Sequence, residues 1–153
     1  MLKLIRTDSG NADFKALVHF LDRELQVLDG DDHAYYAQFN KIEAIKNVVV
    51  AYWGNVPAGC GAIKPWSEGM CELKRMYVPP DLRRRGIADS ILKELERWAG
   101  ELSFTGLVLE TGVAQPEAIG LYRKNGYRTM PNYGQYAGME ASVCMQKMIV
   151  IQS

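Results

Sequence analysis

A strand-like run from Met70 to Val78 gives way, through Pro79-Pro80-Asp81-Leu82-Arg83-Arg84-Arg85-Gly86, to a strongly helical run from Ile87 to Trp98. No other stretch restricts the chain as much. The two prolines stop the strand and stiffen the approach, because each lacks an N–H and restricts the residue before it. The helix that follows opens with backbone N–H groups that have no intrahelical partner. Its macrodipole adds partial positive charge there, so an anion is favoured. Gly86 has no Cβ and lets the backbone approach a ligand closely. A strand that turns through a basic, glycine-containing loop into a helix is a device for holding phosphates. A helix start capped by arginines at a turn is the plainer reading of the same residues.

Two common phosphate loops are excluded. A Walker loop ends in Gly-Lys-Ser/Thr, and the chain has no such run. A dinucleotide fingerprint needs three glycines, and only Gly86 and the small Ala88 are in place.

The rest of the chain places this loop in a mixed fold. Leu2 to Arg6 alternates as a first strand, and Phe14, Leu17, Val18, Leu21, Leu25 and Leu28 recur at helical spacing behind capping side chains. Asp29 to Asp32 breaks that helix, and a short second one is expected around His33 to Asn40. Val48 to Trp53, Ala58 to Ile63 and Met70 to Val78 read as a three-strand meander with a turn at Gly54-Asn55. Phe104 to Glu110 is continuous enough in apolar residues for a central strand. Gln115 to Lys124 reads as a helix ended by Asn125-Gly126, a left-handed cap signal. Tyr127 begins another strand, Pro131 to Ala141 is a loop, and Ser142 to Ile151 is the last strand. The order β-α-α-β-β-β-α-β-α-β-β implies a mixed sheet with helices on both faces.

Arg83-x-x-Gly86-x-Ala88 resembles the Arg/Gln-x-x-Gly-x-Gly/Ala signature of the GCN5-related N-acetyltransferases, the GNAT superfamily. A second element lies 27 residues beyond Ala88. Gln115-Pro116-Glu117-Ala118-Ile119-Gly120-Leu121-Tyr122-Arg123-Lys124-Asn125-Gly126-Tyr127 resembles the later family motif Asn-x-x-Ala-x-x-Leu-Tyr-x-Lys-x-Gly-Phe/Tyr. Gln115 departs from it, standing where the family often has Asn. The resemblance runs from Val48 to Tyr127, and the first 45 residues match in layout only.

The resemblance implies an α/β fold with a mixed, mostly antiparallel central sheet flanked by helices on both faces, formed by one domain over residues 1–153. It implies acetyl-coenzyme A as acetyl donor and no metal. Cofactor contacts fall on Met76, Tyr77, Val78, Arg83, Arg84, Arg85, Gly86, Ile87, Ala88, Gln115 and Tyr122, with the Met76 N–H on the acetyl carbonyl and the Val78 N–H on the pantetheine arm. Tyr122 would protonate the leaving thiolate; packing in the core is its other reading. Glu72 would be the general base. A charge in a buried strand is expensive unless paired or functional, and a salt bridge to Lys74 or Arg75 would also account for Glu72. By period two, Glu72, Lys74, Met76 and Val78 share one face. Glu110 is a rival base or a strand-end carboxylate capping Thr111 or Gly112. Tyr35, Tyr36, Phe39, Tyr133 and Tyr136 would line the acceptor site.

Composition narrows the partners. The chain has 153 residues, and Lys+Arg and Asp+Glu both total 18, which argues against a general binder of nucleic acid or anionic membrane. No apolar run approaches the ~20 residues of a membrane span, and Met1 to Arg6 is too short and polar for a signal peptide. Cys60, Cys71 and Cys144 are far apart and form no metal-like spacing with His19 or His33. The expectation is a cytoplasmic protein with three reduced thiols; a catalytic cysteine is the minor alternative. The acceptor is read as a primary amine on a small molecule, against a protein lysine or N-terminus, or a non-catalytic acyl-coenzyme A binder. A homodimer through an exposed strand edge is compatible with the fold.

Overall fold

The computed structural model describes residues 1–37 and 44–149. The elements are β1 (Leu2–Thr7), α1 (Ala12–Asp29), α2 (His33–Ala37), β2 (Asn47–Trp53), β3 (Val56–Ser67), β4 (Met70–Tyr77), α3 (Ile87–Glu101), β5 (Gly106–Gly112), α4 (Pro116–Lys124), β6 (Arg128–Met130) and β7 (Ser142–Met148). One seven-stranded sheet has the order β1-β2-β3-β4-β5-β7-β6. Its neighbours are antiparallel except β4 and β5, which run parallel. The expected fold class and element order are both observed. The expected extension of α2 to Asn40 and of the last strand to Ile151 falls partly on residues outside the described ones.

Alternation along β2 divides the core into two layers. Val48 and Val50 pack with Phe14, Leu17, Val18 and Leu21 of α1. Val49 and Ala51 pack on the other face with Ile87, Ile91, Leu92 and Leu95 of α3. Burying each of the Val, Leu, Ile and Phe side chains stabilises by roughly 1.5–3 kcal/mol. Asn11 starts α1 by accepting the Phe14 N–H at 2.9 Å. Gly59 lets α3 sit close to the sheet: a Cβ there would lie 2.9 Å from Ile91 Cδ1 and 3.0 Å from the Tyr77 carbonyl oxygen. Gly126, at φ +92°, ends α4 as the Asn-Gly pair predicts.

Strand β4 departs from simple alternation. Cys71 and Leu73 belong to the α3 layer, which turns Glu72 and Lys74 toward the α1 face. Arg75 then takes φ +61°, and the register with β3 shifts between Cys60 and Ala62. This β-bulge adds a residue and resets the alternation. Beyond it Tyr77 joins the α1 layer, while Met76 and Val78 pack on the α3 side. The expectation that Glu72, Lys74, Met76 and Val78 share a face is therefore corrected. Pairing of β4 with β5 covers only Met70–Glu72 against Gly106–Val108. The later residues of both strands line cavities instead of each other.

Candidate active site

The basic loop builds one end of the site. Arg84 (φ +67°) and Gly86 (φ +80°) are left-handed, and Gly86 is the N-cap of α3. No side chain caps this helix start, so its first N–H groups remain available for an anion. A Cβ on Gly86 would meet nothing within 4 Å. The loop borders a groove of about 820 Å³ that runs between β4, α3 and α4. Every cofactor residue expected from the sequence lines this groove except Arg85, which is exposed. An uncapped helix start opening on a groove of this size suits a ligand that carries phosphates.

The loop arginines differ in their surroundings. Arg83 donates from Nε to the Val78 carbonyl (2.7 Å) and from its second terminal nitrogen to Glu24 (2.8 Å). Arg84 reaches Glu117 at 3.4 Å and is largely exposed. Asp89, in the first turn of α3, pairs with Lys124 (2.9 Å) and Asn125 (2.8 Å) of the second motif. Burial raises its pKa, but those two partners outweigh it and hold the carboxyl below its ordinary value.

A smaller cavity of about 150 Å³ continues from the groove, sharing Met76, Ala114, Gln115, Ala118 and Tyr122 with it. Its charged walls are Asp29, Glu72, Lys74, Arg75 and Glu110. Glu72 is 4% exposed, and its Oε2 accepts a 2.7 Å hydrogen bond from the Tyr133 hydroxyl. Arg75 turns away to Asp22 of α1 at 2.9 Å. Burial pushes Glu110 up to about 7, against a hydrogen bond from Ser142 and the charge of Lys74. The Ser142 hydroxyl also shares a 2.6 Å hydrogen bond with Tyr36. Tyr122 lies at the junction of groove and cavity. Burial, then the Glu110 charge, raises its pKa well above the usual tyrosine range, so it stays protonated near neutral pH.

The expected aromatic residues gather around this cavity to different degrees. Tyr36, Tyr133 and Tyr136 cluster with Val108 and Cys144, and Tyr35 packs beside them. Tyr36 and Tyr136 face the cavity directly, whereas Tyr133 reaches it through Glu72. Tyr35 donates its hydroxyl to the Gln135 carbonyl. Phe39 lies outside the described residues. Sequence reasoning missed Trp66, whose ring stands 4.8 Å from that of Tyr133. Pro65 argues against a strand at this point, yet β3 continues to Ser67 and carries Trp66 there. It also missed Asp29 and Ser142, which carry no motif.

The three cysteines are buried, and burial pushes the Cys60 and Cys71 thiols up to about 12, far from a reactive thiolate. Among the described residues, no group of three or more His, Cys, Asp or Glu side chains could hold a metal ion. No helix among them is long and apolar enough to cross a membrane.

A family model described as "Acetyltransferase (GNAT) family" matches residues 14–127. The chain belongs to this family. An IAA acetyltransferase of Azospirillum brasilense is 38% identical over 100 residues, covering 65% of this chain and 65% of that protein. YjgM, an uncharacterized N-acetyltransferase of Escherichia coli K12, is 34% identical over 110 residues, covering 70% of this chain and 58% of that protein. The chain thus matches less than two thirds of the length of these two curated relatives. Among solved structures, a candidate acyl-CoA N-acyltransferase of Klebsiella pneumoniae has a TM-score of 0.82 at 29% identity, covering 98% of this chain and 99% of that one. The PaiA N-acetyltransferase of Thermoplasma acidophilum, solved with coenzyme A, shares the fold with a TM-score of 0.70 at 14% identity, covering 97% and 99%.

Proposed function

We propose that the protein is an acetyl-coenzyme A-dependent N-acetyltransferase that acetylates a primary amine of a small molecule by direct attack in a ternary complex. One observation carries this reading. The groove that begins at the uncapped start of α3 joins, at Tyr122, a cavity walled by carboxylates. That arrangement supports a phosphate-anchored donor at one end and an amine that must lose protons at the other.

The donor supplies an activated acyl group on sulfur. The α3 N–H groups, with Arg84, face its phosphates. The backbone N–H groups of Met76 and Val78, beyond the bulge, orient the arm and the acyl carbonyl. Gln115 and Ala118 close the groove where it meets the cavity. Glu72 takes the proton that the amine must give up, with Tyr133 fixing one carboxyl oxygen. Glu110 is a second proton acceptor in the same cavity. Tyr122, protonated at neutral pH, donates to the departing sulfur. Tyr36 and Tyr136 give the acceptor an apolar wall with polar tips. The small volume favours a compact amine over a polypeptide segment.

The test is a panel of small amines, lysine peptides and N-terminal peptides, followed by release of free thiol from acetyl-coenzyme A. Turnover with small amines is expected. Turnover confined to peptides would replace the acceptor class, and failure of coenzyme A to bind at millimolar concentration would remove the acetyltransferase reading.

A further inference from the structure

Of the three loop arginines, Arg83 is the one tied into the body of the protein. Its side chain and that of Glu24 are each about one-third exposed (33%). The guanidinium spends Nε on the Val78 carbonyl at 2.7 Å and gives both Glu24 oxygens a contact, at 2.8 and 3.1 Å. Its plane also lies over the Tyr77 ring, 5.7 Å from the centroid. These contacts join the end of β4, the loop and α1. Helix α1 is fixed to the sheet by Leu17, Val18 and Leu21. Two residues before Glu24, Asp22 pairs with Arg75 at the β4 bulge. The same helix therefore anchors both the bulge and the phosphate loop.

The loop needs such an anchor. Arg84 holds a left-handed conformation at φ +67°, which costs a non-glycine residue free energy and persists only where the surroundings enforce it. We propose that Arg83 and Glu24 are positioning residues: the pair pins the start of the loop so that the uncapped N–H groups of α3 face the groove, and Arg83 itself does not bind phosphate. The positive field for phosphate comes from those N–H groups and from Arg84 and Arg85. Electrostatics favours this division. Glu24 lines the groove. If Arg83 left it for a phosphate, an unpaired carboxylate would remain beside a ligand of like charge. A lysine could not replace Arg83, because the brace needs donors in two directions from a planar fork.

The inference rests on the groove being the acetyl-coenzyme A site, and the test separates the two. Coenzyme A binding is measured by calorimetry at several salt concentrations for the wild type, Glu24→Gln, Arg83→Lys, Arg83→Gln, Arg84→Gln and the double variant Glu24→Gln/Arg83→Gln. A brace predicts that Glu24→Gln weakens binding by roughly three- to tenfold. Arg83→Lys should not restore affinity, and the double variant should bind no worse than Arg83→Gln alone. The slope of log affinity against log salt should be unchanged by either Arg83 substitution and shallower in Arg84→Gln. Unchanged or tighter binding by Glu24→Gln overturns the proposal, because Glu24 would then compete for a phosphate-binding Arg83. So does rescue by Arg83→Lys, or a shallower salt slope in Arg83→Gln. Glu24→Gln is nearly isosteric and third-exposed, so its result stands even if the Arg83 variants fold poorly. Absence of binding by the wild type would instead defeat the acetyltransferase reading itself.

Discussion

Replacing Glu110 by Gln should make the protein more stable above neutral pH. Glu110 sits where β5 has left β4, in a cavity it shares with Asp29, Glu72, Lys74, Tyr122 and Tyr136. Burial is the main force raising its pKa; Asp29 and Glu72 add to it, while Ser142 and Lys74 oppose it. The folded carboxyl titrates at about 7, against an ordinary value of 4.5. Between those two pH values the folded state keeps a proton that the unfolded chain has lost, so stability falls as pH rises through this window. At about 1.4 kcal/mol for each tenfold change, the full cost is about 3 kcal/mol, an upper figure once the cavity rehydrates. Gln carries no such titration. Urea denaturation followed by Trp fluorescence from pH 4.5 to 8.5 should give similar stabilities at the acid end. The variant should gain about 1–3 kcal/mol at the alkaline end with an unchanged m-value. A flat difference across the window, or a variant less stable at pH 8, would refute the reasoning. Ser142 and Lys74 would then be holding an ionised carboxylate without cost. A cost of this size, at a cavity proposed to accept protons, would be an exchange of stability for function.

Three further outcomes follow from the geometry. Tyr122→Phe keeps the ring that packs on Tyr127, 5.7 Å between centroids, and removes only the hydroxyl; turnover should fall ~10²-fold or more with coenzyme A affinity near wild type, and unchanged turnover would leave the ring as packing. Glu72→Gln retains an oxygen for Tyr133, so the fold should hold while the rate at neutral pH drops and recovers as the amine deprotonates at higher pH; a wild-type pH profile in this variant would move the base to Glu110 or a water. Gly86→Asp places a charged side chain in the open mouth of the groove at φ +80°, and calorimetry should show about tenfold or greater loss of coenzyme A affinity at low salt; equal affinity would mean that phosphates do not approach this helix start.

Much of this architecture was legible in the chain because it is set locally. The amphipathic spacing of Phe14 to Leu28, the turn at Gly54-Asn55, the Pro-Pro stop before Arg83 and the Asn125-Gly126 cap each act within a few residues. They gave the element order, and the two glycine-containing motifs named residues that the structure brings to one groove. The β4 bulge was not legible: its left-handed residue is Arg75, a side chain that sequence does not flag for that conformation. Arg75 is held there by Asp22, 53 residues away. The partnership of Glu72 with Tyr133 spans 61 residues and exists only because the loop before β7 folds back over β4. Arg83 shows the same limit. Its sequence context announces a phosphate ligand, while Glu24, 59 residues away, binds its guanidinium. The titration of Glu110 likewise depends on how far β5 parts from β4. Backbone propensity and capping are properties of neighbours in sequence, but desolvation and side-chain pairing are decided by which surfaces the closed chain brings together.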